Sequence, residues 1–253
     1  MTNGSGVLSR RTAAMLGLAG AVLSGVGDVL ILGRACSGRE FDEAVGMIPT
    51  NIDADPRWRS LWNGASFAPG RLHVGTVTGV VGIGVLQWAG LRATAHPIPS
   101  RRLRRLARVS ADGFAVSGVL THLGCGTMIL AYRRAAADAA EVPDDRRQSS
   151  PRSATTLLAV SAVGALSALA VFTGAVFGAA ARRPGSATRV LSVASPFPCV
   201  LATLLTFGAL PAPIGGYARP ASMSIGLALS FAVSVVCSRG IPTSSRPGSV
   251  LGA

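Results

Sequence analysis

Lysine is absent from this chain: all 24 basic side chains are arginines, set against 11 acidic residues and 3 histidines. Charge of either sign is scarce, at 14% of residues, where soluble domains carry about 25%. That shortage argues against an ordinary soluble fold. The 4 cysteines, Cys36, Cys125, Cys199 and Cys237, form no CxxC or Cys/His spacing, which leaves a zinc site without support. They fall on or beside different apolar windows, so disulfides are not expected. Asp-rich metal motifs, nucleotide loops and nucleophile elbows are missing as well. No metal, no cofactor and no named catalytic residue is implied.

What the chain does have is apolar length. Hydrophobic residues make up 49% of it, and a helix needs about 20 mostly apolar residues to cross the hydrocarbon of a bilayer. Six windows meet or nearly meet that length: 12–33, 72–91, 110–132, 155–180, 190–210 and 221–238. None alternates with the period of 2 that a transmembrane barrel requires. The expected fold is all-α, a polytopic membrane protein built as a bundle of six transmembrane helices. It forms a single domain over 1–239, with a disordered tail over 240–253.

A net charge of +13 raises the question of nucleic acid. The arginines cluster at the ends of the apolar windows, as in Arg10-Arg11, Arg133-Arg134 and Arg182-Arg183. Topology determinants sit there, whereas a nucleic-acid patch needs a folded polar surface to carry it. No nucleic-acid partner is expected; membrane lipids are. With the N-terminus inside, the inner segments hold thirteen arginines and the outer ones eleven. The inner connections are also the short, arginine-dense ones that set orientation. Both termini are therefore expected in the cytoplasm of a bacterial cell, the arginine-only, Ala/Gly-rich composition being associated with high-GC bacteria. The N-terminal SRRTAAML run resembles a twin-arginine export signal, but the apolar stretch after it outlasts a typical signal core and lacks a clear cleavage site. An uncleaved first helix is the preferred reading.

Two connections stand out. In DPRWRSLWNGASF, Trp58 and Trp62 lie four residues apart, as on one face of a short interfacial helix or a lid. The inner PSRRLRRLARVSAD run alternates arginine with Leu103, Leu106 and Val109, the pattern of a helix lying on the inner leaflet or of a simple topology determinant. In the fifth window, Pro196 and Pro198 remove backbone donors and are expected to kink or open the helix.

The polar residues within the spans carry the functional question. At 100° per residue, Ala13, Ala14, Gly17, Ala21, Ser24 and Gly25 share the side of Asp28. Met15, Leu16, Leu18, Val22, Leu23, Val26 and Leu30 take the other. Small residues let helices approach closely, so Asp28 points into the bundle. In the second window His73, Thr76, Gly84 and Gln87 share a side. In the third, Ala111, Ala115, Gly118 and Gly126 share one with His122. At 1.5 Å rise per residue, Asp28, His122 and His73 stand about 24, 18 and 30 Å above the inner ends. The expectation is one polar cavity shared by Asp28 and His122, with His73 near its outer mouth and the second helix short enough to leave the first and third in contact. Ionisable groups inside a membrane are functional candidates by default; the competing reading is a structural knot that pins helices together.

The Gly27-Asp28 pair, the RLHVG run opening the second span and LPAPIGG before the sixth resemble an uncharacterised family of bacterial multi-pass membrane proteins. The likeness covers most of the chain and implies the six-helix fold, with no activity attached. Three functions remain open: binding or moving a small apolar molecule through a pocket at Asp28, His73, His122, Gln87 and Thr76; a structural or partner-binding role; or a membrane enzyme using Asp28 and His122 as acid and base on a lipid or isoprenoid.

Overall fold

The computed structural model describes residues 9–33, 68–138, 150–182, 194–209, 218 and 221–237. Trp58, Trp62, Cys36, the LPAPIGG run and the tail lie outside them. Among the described residues there are six helices and no strand. We label them α1 (Arg10–Leu32), α2 (Pro69–Ala95), α3 (Arg101–Asp138), α4 (Ser150–Ala181), α5 (Pro196–Ala209) and α6 (Ser222–Cys237). Helices α1 to α4 are long and apolar enough to cross a membrane. The other two are shorter than their windows: α5 has 14 residues and α6 has 16, or roughly 21 and 24 Å of axis.

Local chemistry sets the ends. Helix α1 starts where the Ser9 hydroxyl accepts from the Thr12 amide at 3.1 Å, satisfying one of the orphan first-turn donors. It stops at Gly33, whose φ of 61° a side chain would disfavour. Beyond it Arg71 of α2 donates to the carbonyls of Leu30 at 3.0 Å and Val29 at 3.1 Å, closing the acceptors a C-terminus leaves open. In α5 the prolines do not kink the helix; they begin it. Pro196 is its first residue, where a missing N–H costs nothing and the fixed φ is already helical. The next amide, of Phe197, donates to Thr173 of α4 at 3.2 Å.

The PSRRLRRLARVSAD run is no separate helix on a leaflet either. It continues straight into α3, because Ala107 and Ala111 are fully buried and keep the packed stripe of that helix in register down to Leu103.

Each helix packs on the next in sequence, and α6 closes the ring against α1. Close approaches fix the directions. Gly17 faces Gly90, Gly20 faces Gly82 and Gly27 faces Gly75, so α1 and α2 run antiparallel. Gly118 against Ile83 and Gly126 against Thr76 give the same for α2 and α3, as do Gly124 against Leu158 and Gly113 against Ala168 for α3 and α4. Gly17 also meets Phe231, and Gly25 meets Ser224. The start of α1 and the end of α6 thus lie at one end of the bundle. Phe114, Leu169, Phe172, Val200 and Leu227 fill the interior.

Candidate functional site

Asp28 stands one turn before the end of α1, on the face where Ala13, Gly17, Ala21, Ser24 and Gly27 are buried. Two contacts make a site there possible. Gly27 has no side chain to hold α2 away: a β-carbon on it would lie 2.7 Å from the Gly75 carbonyl oxygen. Across α2, the His122 imidazole of α3 lies against Gly79, where a β-carbon would overlap the ring. His122 therefore reaches over the backbone of α2, and its Nε2 comes to 3.2 Å from Asp28 Oδ1. Both side chains are nearly enclosed, 7% and 13% exposed. The pair stands at ion-pair separation, but Nε2 has no aligned hydrogen-bond acceptor. The second helix is not short, as its 27 residues show; the glycine at 79 is what brings α1 and α3 into contact.

The other carboxylate oxygen belongs to a longer array. Ser224 of α6 donates to Asp28 Oδ2 at 2.7 Å. Ser24 of α1 lies 3.1 Å from the Ser224 hydroxyl, and Gln87 of α2 donates its amide to Ser24 at 2.6 Å. Counting protons orders this chain. Each hydroxyl has one hydrogen; with that of Ser224 given to Asp28, the contact between the serines is completed by Ser24 as donor. The Ser24 hydrogen has a competing acceptor in the Ala21 carbonyl at 3.1 Å. Polarity thus runs from the Gln87 amide through both serines to the carboxylate. Together with His122, the array ties α1, α2, α3 and α6. Gln87 Oε1, fully buried, has no partner, a cost that a packing amide alone does not explain.

Gln87 reaches this array through an irregularity in α2. Residues Gly82–Gln87 form a π-helical segment, whose wider turn rotates everything after it. The four residues expected on one side of α2 are consequently split. Gln87 faces Ser24 of α1, Gly84 faces Val119 of α3, and Thr76 lies against Gly126 of α3 while donating to its own helix at Leu72 O, 2.9 Å away. His73 is exposed, with Nδ1 2.7 Å from Pro69 O, and does not adjoin Asp28 or His122. Among the described residues no group of three His, Cys, Asp or Glu could hold a metal ion.

Beside the array a groove of about 580 Å³ opens between α1 and α6, lined by Val22, Gly25, Val26, Ala221, Ser224 and Leu229 among others. Every lining residue but Ser224 is apolar. Ser224 therefore belongs both to the groove wall and, through its hydroxyl, to the Asp28 array.

Sequence reasoning missed two things. Ser224 sits in the ASMSIG run, where serines at 222 and 224 alternate with apolar residues, a pattern indistinguishable from a small-residue packing face. A second polar cluster also escaped notice. Asp112 Oδ1 of α3 accepts from Trp88 Nε1 at 2.7 Å and Arg92 at 3.0 Å, both of α2. The Arg92 guanidinium lies 5.3 Å from the Trp88 ring centre, within cation–π range. The signal was available in the aspartate of SADGF and the pairing of Trp88 with Arg92 four residues on.

Comparison with known proteins adds a family. Residues 2–239, nearly the whole chain, match the model of DUF6796, described as a family of unknown function, and the chain belongs to that family. No curated protein and no solved structure matches.

Proposed function

We propose, since membership of DUF6796 brings no activity with it, that this is a multi-pass protein of the bacterial inner membrane that binds or moves a small apolar molecule. The molecule occupies the groove between α1 and α6, and its polar end meets Ser224 and, through it, Asp28 and His122. The observation that carries this reading is the double role of Ser224, which lines an apolar groove and donates to Asp28 at 2.7 Å. Through Ser224 the carboxylate can orient a ligand hydroxyl at the edge of an apolar groove. Orientation follows from charge. Arg10, Arg11, Arg92 and the arginines between Arg101 and Arg108 belong to the bundle end at which α1 starts, and that end faces the cytoplasm.

The test is native mass spectrometry of the protein released from its membrane in mild detergent, followed by lipid extraction. A specific apolar molecule should co-purify. It should be lost when Val26→Trp fills the groove, with helicity by circular dichroism unchanged. A Val26→Trp protein that keeps the same adduct overturns the assignment of the groove.

One observation favours a second reading, a structural knot: the Asp28 array uses most of its polar groups internally and ties four helices. In that case Ser224→Ala lowers stability while no adduct is found on the parent protein. The membrane-enzyme reading ranks third, because Asp28 and His122 are engaged with each other and nearly closed to a substrate.

A further inference from the structure

The lower part of α3 carries a second surface of a different kind. At 3.6 residues per turn, Arg101, Arg104, Arg105, Arg108 and Asp112 fall within an arc of about 100°. The helix is buried along Ala107, Ser110 and Ala111, and Leu103 packs against Gly178 of α4. Arg101 and Arg105 are exposed, while Arg104 and Arg108, on the flank nearer Ala107 and Ala111, are half-buried. None of the four arginines forms an ion pair among the described residues.

Followed up the helix, the same side changes character. Its exposed edge, in line with Arg101 and Arg105, continues in Val116 and Leu123, 61% and 41% exposed, as apolar residues on a spanning helix are where they face lipid chains. Ala115, His122 and Gly126 within the same arc are buried, the last two against Gly79 and Thr76 of α2. Arginine thus gives way to aliphatic side chains along the exposed edge of that face. At the changeover stands the Trp88, Arg92 and Asp112 cluster, in which Arg92 is held by a 3.0 Å bond to Asp112 and stacked on the indole. Such a cation is fixed in place at little further cost in side-chain entropy. Tryptophan belongs at the headgroup level.

A soluble acidic partner would complement the arginines and leave the aliphatic stripe unexplained. A ligand that is anionic at one end and apolar along the rest complements both. We infer that α3 holds an anionic phospholipid, its headgroup phosphate at Arg105, Arg108 and Arg92 and an acyl chain along Val116 and Leu123. This rests on the protein being a membrane protein and is independent of the α1–α6 groove, which lies on another face.

The experiment uses the full chain, delipidated in detergent and titrated with phosphatidylglycerol or phosphatidylcholine by native mass spectrometry. Phosphatidylglycerol should bind about tenfold tighter. Each arginine near an anionic surface is worth a factor of roughly five, so Arg105→Gln with Arg108→Gln should lose about 25-fold. Arg105→Lys with Arg108→Lys should keep most of the binding and shows that the loss does not come from misfolding. Arg10→Gln with Arg11→Gln, at the same bundle end on α1, should bind as the parent does. Equal affinity for the two lipids overturns the proposal. An equal loss in the α1 variant does so too, by reducing the effect to general charge. Tighter retention of a soluble polyanion than of phosphatidylglycerol would assign the face to a different partner. Failure of the chain to enter lipid nanodiscs would instead count against the membrane reading itself, whereas loss of the groove adduct alone would leave this site standing.

Discussion

The His122 ring rests against Gly79, and only because position 79 has no side chain does its Nε2 come within 3.2 Å of Asp28 Oδ1. Three helices meet there through one missing methyl group. The polar site and the close packing of α2 are therefore a single structural feature.

Gly79→Ala should test that dependence. The added β-carbon overlaps the imidazole, and overpacking of this kind costs about 1–3 kcal/mol. Gly70→Ala is the control, since nothing lies within 4 Å of a β-carbon there. Unfolding by denaturing detergent should show a clear loss for the first and none for the second. Equal behaviour of the two variants would mean that His122 does not occupy the position described.

Ser224→Ala and Gln87→Met separate the two ends of the hydrogen-bonded array. Ser224 donates the hydrogen bond that Asp28 Oδ2 accepts, and removing a donor from a buried acceptor costs about 1–3 kcal/mol. Gln87 donates one hydrogen bond but leaves its Oε1 buried without a partner. Its replacement by methionine, similar in volume, should change stability by less than about 1 kcal/mol. The order of the two losses, measured in the same unfolding assay, checks the direction of the array. A larger loss for Gln87→Met would reverse it.

Much of this was legible in the sequence, and the failures have local causes. Helix α1 was read correctly because Gly17, Ala21, Ser24 and Gly27 contrast with Met15, Val22 and Val26; a small-against-bulky contrast survives any detail of packing. Asp28 and His122 could be placed on inward faces by the same logic. Residues beyond Gly82 could not, because a π-helical segment shifts the period and no residue pattern announces it. Pro196 reads alike as a kink or as a first residue, and only the position of the preceding chain decides. His73, next to the fully buried Leu72, faces the exposed side of α2 with Val74 and Val77, so its exposure comes from its direction and not from its depth.

Topology has a direct check. Gly17 packs on Phe231, which puts the start of α1 and the end of α6 at one end of the bundle. In intact cells Cys237, at the end of α6, should resist a membrane-impermeant thiol reagent, while Cys36, after α1 in sequence, should react. After permeabilisation both should label. The opposite pattern in intact cells would turn the protein over in the membrane.

A double-mutant cycle on Asp28 and His122 distinguishes a true pair from two buried neighbours. Asp28→Asn keeps the shape of the side chain and an oxygen for Ser224, and replaces the carboxyl oxygen that faces His122. His122→Gln keeps a polar group of similar reach. Either change leaves a buried partner unmatched and should cost about 1–3 kcal/mol. Once one is made, the other has little left to disrupt, so the double variant should be nearly as stable as the worse single one. The coupling should reach about 1 kcal/mol or more, well above the few tenths seen for independent sites. The co-purifying molecule should be measured on the same samples. If Asp28→Asn keeps the fold but loses the adduct, the carboxylate serves the groove. If stability changes while a parent adduct is retained, the pair only holds helices together. Strict additivity would show that the 3.2 Å separation is proximity without interaction.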